Sequence, residues 1–370
     1  MRPVHKEIPG IFPQLWWIMS DFRYAAIATL LRALHLSGLD RALAPVCQGA
    51  GVILTMHHVR PDRTGDFAPN RILEITPEFL DDVLCLLKAQ GFEIAKLDEV
   101  PIRLAGAGKA KRPFAVLTFD DGYKDNLEYA LPVLRTHSAP CTVFVTRGFV
   151  DGTSPLWWLD LEEAISRQNQ ITVDLPEGRV TIPTATAAEK AAGFEKVYWA
   201  LRPGPEETFR RVVADLAADA GVDPLARTRS LCLDWSGIRD LASDPLVTIG
   251  AHSLTHPMLA KHEDTVARKE MAESKGALET ELGREVRHFA YPVGDPGSAG
   301  QREFALARAC GFETAVTTRP GMLFPGHGSH LTALPRISLN GLFQRKGDVA
   351  ALLSGVPTAL QNRGRRLNVA

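Results

Sequence analysis

Two carboxylates stand side by side in LTFDDGYKDN (residues 117–126): Asp120 and Asp121, at the end of an apolar run and followed by Gly122. Neighbouring like charges repel, so either water solvates both or a cation sits between them. A second stretch, GAHSLTHP (250–257), places His252 and His256 four residues apart behind another apolar run. On a single helical turn that spacing sets two imidazoles on one face, as a divalent metal requires. Two histidines and one aspartate make a three-ligand site with a position open to water, the arrangement of hydrolytic zinc enzymes. One aspartate can then bind the metal while the other stays free as general base toward the water. Taken singly the signals are weak: an Asp pair also caps helices through Asx turns, and H-x-x-x-H recurs without metal. Their shared place at the ends of apolar runs joins them into one hypothesis.

The elements that must bring them together are legible as eight short β-rich runs. These are GVILTMHHV (51–59), FEIAKL (92–97), FAVLTFDD (114–121), CTVFVT (141–146), LVTIGAHS (246–253), VRHFAYP (286–292), ETAVTT (313–318) and ALPRISL (333–339). Helix-like stretches separate them; TPEFLDDVLCLLKAQG (76–91) opens on Thr76 as N-cap with Pro77 in the first turn and closes on Gly91. Strand, helix, strand at this spacing predicts βαβ units and a mainly parallel sheet. About eight such units favour a barrel, in which catalytic groups stand at the C-terminal strand ends. Both motifs occupy such ends.

TFDDG, HSLTHP and FAYPVG (289–294), in this order, resemble the first three motifs of the polysaccharide deacetylase family, the NodB-homology or carbohydrate esterase family 4 domain. The resemblance spans roughly residues 50–340. It implies a distorted (β/α) barrel that removes acetyl groups from N-acetylated, sometimes O-acetylated, sugars with a divalent metal. Zinc is the first expectation, with cobalt, nickel or manganese as alternatives. Carried over motif by motif, Asp120 is the general base, Asp121, His252 and His256 hold the metal, and the Tyr291 backbone N–H binds the oxyanion. Where many members carry an arginine that orients the base, three residues before the tyrosine, this chain has His288; Arg336 in LPRISL is expected to take over from another strand end. The family's late L-x-H motif, which supplies a general acid, has no clean counterpart. His330 and the pair His57–His58 are the candidates, and a YHxV-like stretch in a bacterial branch of the family places His57 or His58 at the pocket. Trp158, beside Trp157, is either a sugar-stacking platform or core packing; Asn70 and Arg71 are substrate contacts on position alone.

Residues 160–245 break the strand pattern and read as a mainly helical insertion with one hairpin, ITVDLPEGRVTIP. The chain thus divides into an N-terminal helical extension (1–49), the barrel (50–345) and a tail (346–370) whose end, SGVPTALQNRGRRLNVA, is expected to fray. Lys and Arg number 42 against 43 Asp and Glu, for a net charge of −1, so nothing points to nucleic acid. The five cysteines form no C-x-x-C pair and favour a reducing compartment. Asp21, Arg23, Arg32, Asp40 and Arg41 interrupt the apolar N-terminus, which excludes a spanning helix and predicts an amphipathic one over about 23–36, packed on the domain or lying on a membrane. The expected protein is cytoplasmic, with an acetylated carbohydrate as its substrate. Two other readings keep the motifs: hydrolysis of a non-sugar amide or imide, and a non-catalytic glycan-binding protein.

Overall fold

Seven of the apolar runs close into a ring of parallel strands: β1 Gly51–Met56, β2 Phe114–Phe119, β3 Cys141–Val145, β4 Val247–Ala251, β5 His288–Ala290, β6 Thr314–Pro320 and β7 Leu334–Ser338. The ring runs β1-β7-β6-β5-β4-β3-β2 and returns to β1. The eighth run contributes only Glu93–Ile94, which pairs with β2 from outside, so the expected eight units become a seven-stranded barrel. This computed structural model describes residues 15–63, 65–106 and 112–369, with side chains from residue 24 onward; the first fourteen residues of the N-terminal extension lie outside them.

Pairing is uneven around the ring. β1 and β2 stay in register from Gly51↔Phe114 to Met56↔Phe119, whereas β4 and β5 meet at Phe289↔Ala251 alone and β6 slips against β7 between Val316 and Pro320. Strand alternation then decides which side chains enter the barrel. Ile53, Val116, Phe144, Ala290, Val316 and Leu334 fill the interior, while Val52, Leu54, Leu117 and Val143 pack outward against helices. Gly250 leaves room for Phe144, because a Cβ there would stand 2.5 Å from that ring. The same parity carries Thr118 and Asp120 inward from β2, and Arg336 inward from β7.

Helices flank the barrel and brace its loops, among them α1 Leu15–Ser37, α2 Leu39–Cys47, α3 Pro77–Ala89, α4 Trp157–Ser166, α5 Glu206–Asp219, α6 Asp264–Leu282, α7 Lys346–Leu353 and α8 Val356–Gln361. Thr76 caps α3 by accepting from the Phe79 N–H, with Pro77 in the first turn, as its sequence predicts. The stretch expected to fray instead begins as a helix: α8 buries Val356 and Thr358, following α7, which buries Val349 and Leu353. Between β3 and β4 the insertion folds as the hairpin Gln170–Leu175/Gly178–Pro183 with helices around it. Its apolar core, including Trp157, Val197 and Phe209, is continuous with Tyr123 and Phe149 of the barrel. No helix among the described residues is long and apolar enough to cross a membrane.

Candidate active site

β2 ends at Phe119, and the Asp120 N–H still donates to Met56 O at 3.0 Å, so Asp120 is fixed as one more inward position of the ladder. The chain then turns sharply. Asp121 has φ 76° and Gly122 φ 72°, two successive left-handed residues that send the neighbouring carboxylates in different directions. This turn separates their chemistry.

Asp120 meets Arg336. The guanidinium donates to both carboxylate oxygens, at 2.8 and 2.7 Å, and also to Thr118 Oγ1 and Thr317 O. Both side chains are essentially buried. Burial alone would raise the Asp120 pKa, but the Arg336 charge overrides it and holds the carboxyl well below the usual range. Replacing Arg336 with Met is expected to cost about 3–5 kcal/mol at neutral pH, because it strands a buried carboxylate. In the wild type the pair's contribution is present above the unfolded Asp pKa and is lost as pH falls below it. In the variant an unpartnered Asp120 takes up a proton and is destabilising above that same pKa. The difference in urea-unfolding free energy should therefore shrink from pH 7 to pH 4; a difference independent of pH would contradict this.

Asp121 meets the histidines. Its Oδ1 lies 3.6 Å from His252 Nε2 and 3.5 Å from His256 Nε2, and no hydrogen bond among the described residues satisfies that buried oxygen. Donors on a tetrahedral ion at ~2.0–2.2 Å stand about 3.4 Å apart, so both separations from Asp121 Oδ1 are close to those a zinc-like cation would impose. His252 Nδ1–H donates to Ala290 O at 2.7 Å, which turns the Nε2 lone pair toward Asp121. Burial lowers the pKa of both imidazoles, leaving them neutral and ready as ligands. Burial together with the Asp120 charge pushes Asp121 up to about 8. A cation at this point would relieve each of these costs, and the residues fit one.

The histidine pair is not on a helical turn, contrary to the expectation from its spacing. Residues 252–258 form an irregular loop in which Ser253 and His256 have positive φ, and the two rings stand 5.0 Å apart. Long-range contacts hold this loop. Glu270 on α6 accepts from the Leu254 and Thr255 N–H groups and from the Thr255 hydroxyl. Arg210 on α5 donates to His256 O at 2.5 Å, and its neighbour Glu206 accepts from the Met258 N–H. The insertion thus braces the loop that carries both histidines. Sequence reasoning missed all three residues because their partners are far away along the chain.

Tyr291 requires correction. Its backbone N–H donates to Val316 O at 3.1 Å as part of the barrel ladder, and its phenol is buried and donates to Thr332 O. It has nothing left to offer an oxyanion or a substrate. Two residues on, Val293 has φ 60°, a strained conformation for a β-branched residue, and its N–H donates no hydrogen bond among the described residues. Four of the six non-glycine residues with positive φ (Asp121, Ser253, His256 and Val293) belong to these three loops. The Pro-Val-Gly sequence of the turn was the available signal for Val293.

The remaining candidates separate. His57 Nε2 lies 3.9 Å from Asp120 Oδ2 and is one-fifth exposed; burial lowers its pKa to about 4 despite the pull of Asp120. His58 faces elsewhere: its Nδ1 bonds Asp125 at 2.6 Å and its ring stacks on Tyr123, so it anchors the loop after β1 instead of lining the pocket. His330 follows a 3-10 turn packed near Leu104, just beyond Leu323, which bridges Gly51 at the start of β1. That is the wrong end of the barrel for a catalytic acid. Trp158 is 6% exposed, with its ring 5.0 Å from His256 and 6.0 Å from Phe149. It forms a wall behind His256 and is too covered to be a stacking platform. Asn70 is buried and bonds Trp158 O and Glu162, so it acts within the protein, whereas Arg71 pairs with Asp62 on the surface.

The polysaccharide deacetylase family profile matches residues 107–315, more than half of the chain and both motif loops. The chain belongs to the polysaccharide deacetylase family, whose members are hydrolases acting on carbon–nitrogen bonds of acetylated sugars and are generally metal-dependent. Solved structures share the fold. IcaB from Ammonifex degensii is 18% identical, with a TM-score of 0.54 over 83% of this chain and 98% of its own. The deacetylase PplD from Streptococcus pyogenes, in complex with acetate, is 17% identical, with a TM-score of 0.53 over 82% and 97%. BC0361, a polysaccharide deacetylase from Bacillus cereus, is 18% identical with a TM-score of 0.50 over 82% and 68%. No curated protein sequence matches.

Proposed function

We propose that the chain is a metal-dependent deacetylase that hydrolyses the N-acetyl group of an N-acetylhexosamine in a polysaccharide, oligosaccharide or glycolipid precursor. The observation that carries this reading is the division of labour between adjacent residues: Asp121 joins two neutral histidines, while Asp120 is held apart by Arg336. A pure binding site has no use for an ionised, buried carboxylate beside a metal cluster. A divalent cation on this N₂O donor set, zinc first and cobalt, nickel or manganese as alternatives, would supply Lewis acidity to water and to the acetyl carbonyl.

The protein supplies the rest. Asp120 accepts the proton as the water oxygen bonds to the acetyl carbon. Arg336 keeps its carboxylate aimed and ionised until then. The Val293 N–H donates to the carbonyl oxygen as negative charge gathers there, replacing Tyr291 in that role. His57, close to Asp120, passes the proton to the nitrogen as the C–N bond breaks, leaving acetate and a free amine. Five free thiols favour a reducing, cytoplasmic setting.

The test is acetate release from N-acetylglucosamine oligomers. Release that a chelator abolishes and added metal restores supports the reading. Stoichiometric metal binding with no acetate from any acetylated sugar overturns the substrate, and the amide-hydrolase and non-catalytic alternatives then move ahead.

A further inference from the structure

The helical layer built from both ends of the chain carries apolar surface that the fold does not use. On its inner side Leu31 and Leu34 of α1 pack against Ala351 of α7 and Val356 of α8. Outward, Ile27 and Leu30 are 41% and 43% exposed, Leu36 84% and Val46 63%. From Tyr24 to Leu30 every residue of α1 but Ala28 is exposed, so apolar surface is open on more than one side of the helix. A groove in a protein partner covers one face of a helix; an apolar helix exposed on more than one side suits a medium that surrounds it. The preceding turns of α1 read LWWIMSDFR, and tryptophan is the residue type enriched at headgroup depth.

Charge narrows the partner. Residues 24–50 and 342–369 contain two acids, Asp40 and Asp348, both buried. Arg32, Arg41, Arg345, Arg363, Arg365 and Arg366 in the same segments are exposed. Val46 shares one depression with Arg365 and Arg366, which puts apolar and cationic groups from opposite chain ends on one surface. The whole chain carries a net charge of only −1, so this excess of cations is local.

We infer that this layer seats the protein on an anionic lipid bilayer, with α1 lying in the interface and the arginines over the headgroups. None of these residues belongs to the candidate active site, so the inference stands or falls apart from the proposed function.

The experiment is flotation of the full chain with phosphatidylcholine vesicles containing about 30% phosphatidylglycerol, against phosphatidylcholine alone, in about 0.1 M and 0.5 M salt. The wild type is expected to float with the anionic vesicles, with partitioning on the order of tenfold weaker on the neutral ones or in high salt. Arg363→Glu/Arg365→Glu/Arg366→Glu should show the same loss, and Ile27→Glu/Leu30→Glu should lose both kinds of vesicle. All five positions are exposed, and an unchanged melting temperature and metal affinity would check the fold. Wild type that stays unbound on anionic vesicles overturns the inference. So does light scattering that shows a dimer dispersed by Ile27→Glu/Leu30→Glu without vesicle binding, since a second copy would then cover the face.

Discussion

Asp120→Asn is expected to slow acetate release by at least about 10³ while leaving metal affinity within a few-fold of wild type, as general-base removal does when the electrophilic machinery stays in place. Asparagine keeps the size of the side chain and can still accept one Arg336 hydrogen bond, but it cannot take a proton from water. The side chains grouped closely enough to hold an ion are Asp121, His252 and His256, without Asp120. Isothermal titration with zinc and an acetate assay on the same preparation separate the two effects. Loss of metal together with activity would mean that the two aspartates share the ion, and the split of roles would fail. Asp120→Asn also leaves Arg336 buried beside a neutral partner, so some stability is lost and the assay belongs well below the melting temperature. Combined with Arg336→Met, the stability losses should be less than additive, since the double variant has no stranded charge.

Much of this site was legible because its residues are local. Asp120–Asp121–Gly122 and His252–His256 are short motifs whose chemistry depends on residue type and on position at a strand end. Arg336 was legible by substitution: the family's arginine position holds His288, and LPRISL offers an arginine from another strand end. What the sequence hid depends on backbone state or on distant contacts. Spacing alone suggested a helical turn for His252 and His256, yet Ser253 and His256 take left-handed conformations that Glu270 and Arg210 stabilise from afar. Tyr291 looked suited to the oxyanion because the motif counts residues; whether a given N–H is free depends on strand register, and Val316 takes this one. His330 was plausible only as a histidine, and the YHxV-like resemblance did not tell His58, which turns to Asp125, from His57 beside Asp120. Closure of the ring at seven strands rested on the β1–β2 pairing, a non-local contact that no periodicity encodes.

Asp121→Asn should make the metal-free protein more stable while abolishing metal binding. The carboxylate is 2% exposed, its Oδ1 has no hydrogen-bond partner among the described residues, and ionised Asp120 is adjacent. Burial and that neighbour push its pKa from 3.8 to about 8. A carboxyl whose folded pKa is raised contributes most favourably below its unfolded value, and that contribution is lost as pH climbs through the folded value. Metal-free wild type should therefore lose stability between about pH 4 and pH 8, on the order of a few kcal/mol in all. Asparagine occupies the same space without titrating, so the gap between variant and wild type should be near zero at pH 4 and widest above pH 8. The buried histidines impose their own loss toward acid, but they are present in both proteins and largely cancel in the difference. Metal reverses the order, stabilising the wild type by mass action and leaving the variant unchanged. Thermal melts of both proteins across this pH range, in chelator and then in zinc, read out each part. A metal-free variant less stable than wild type at pH 8 would show that Asp121 is not the strained group of this site, and that the energy favouring metal capture must come from elsewhere.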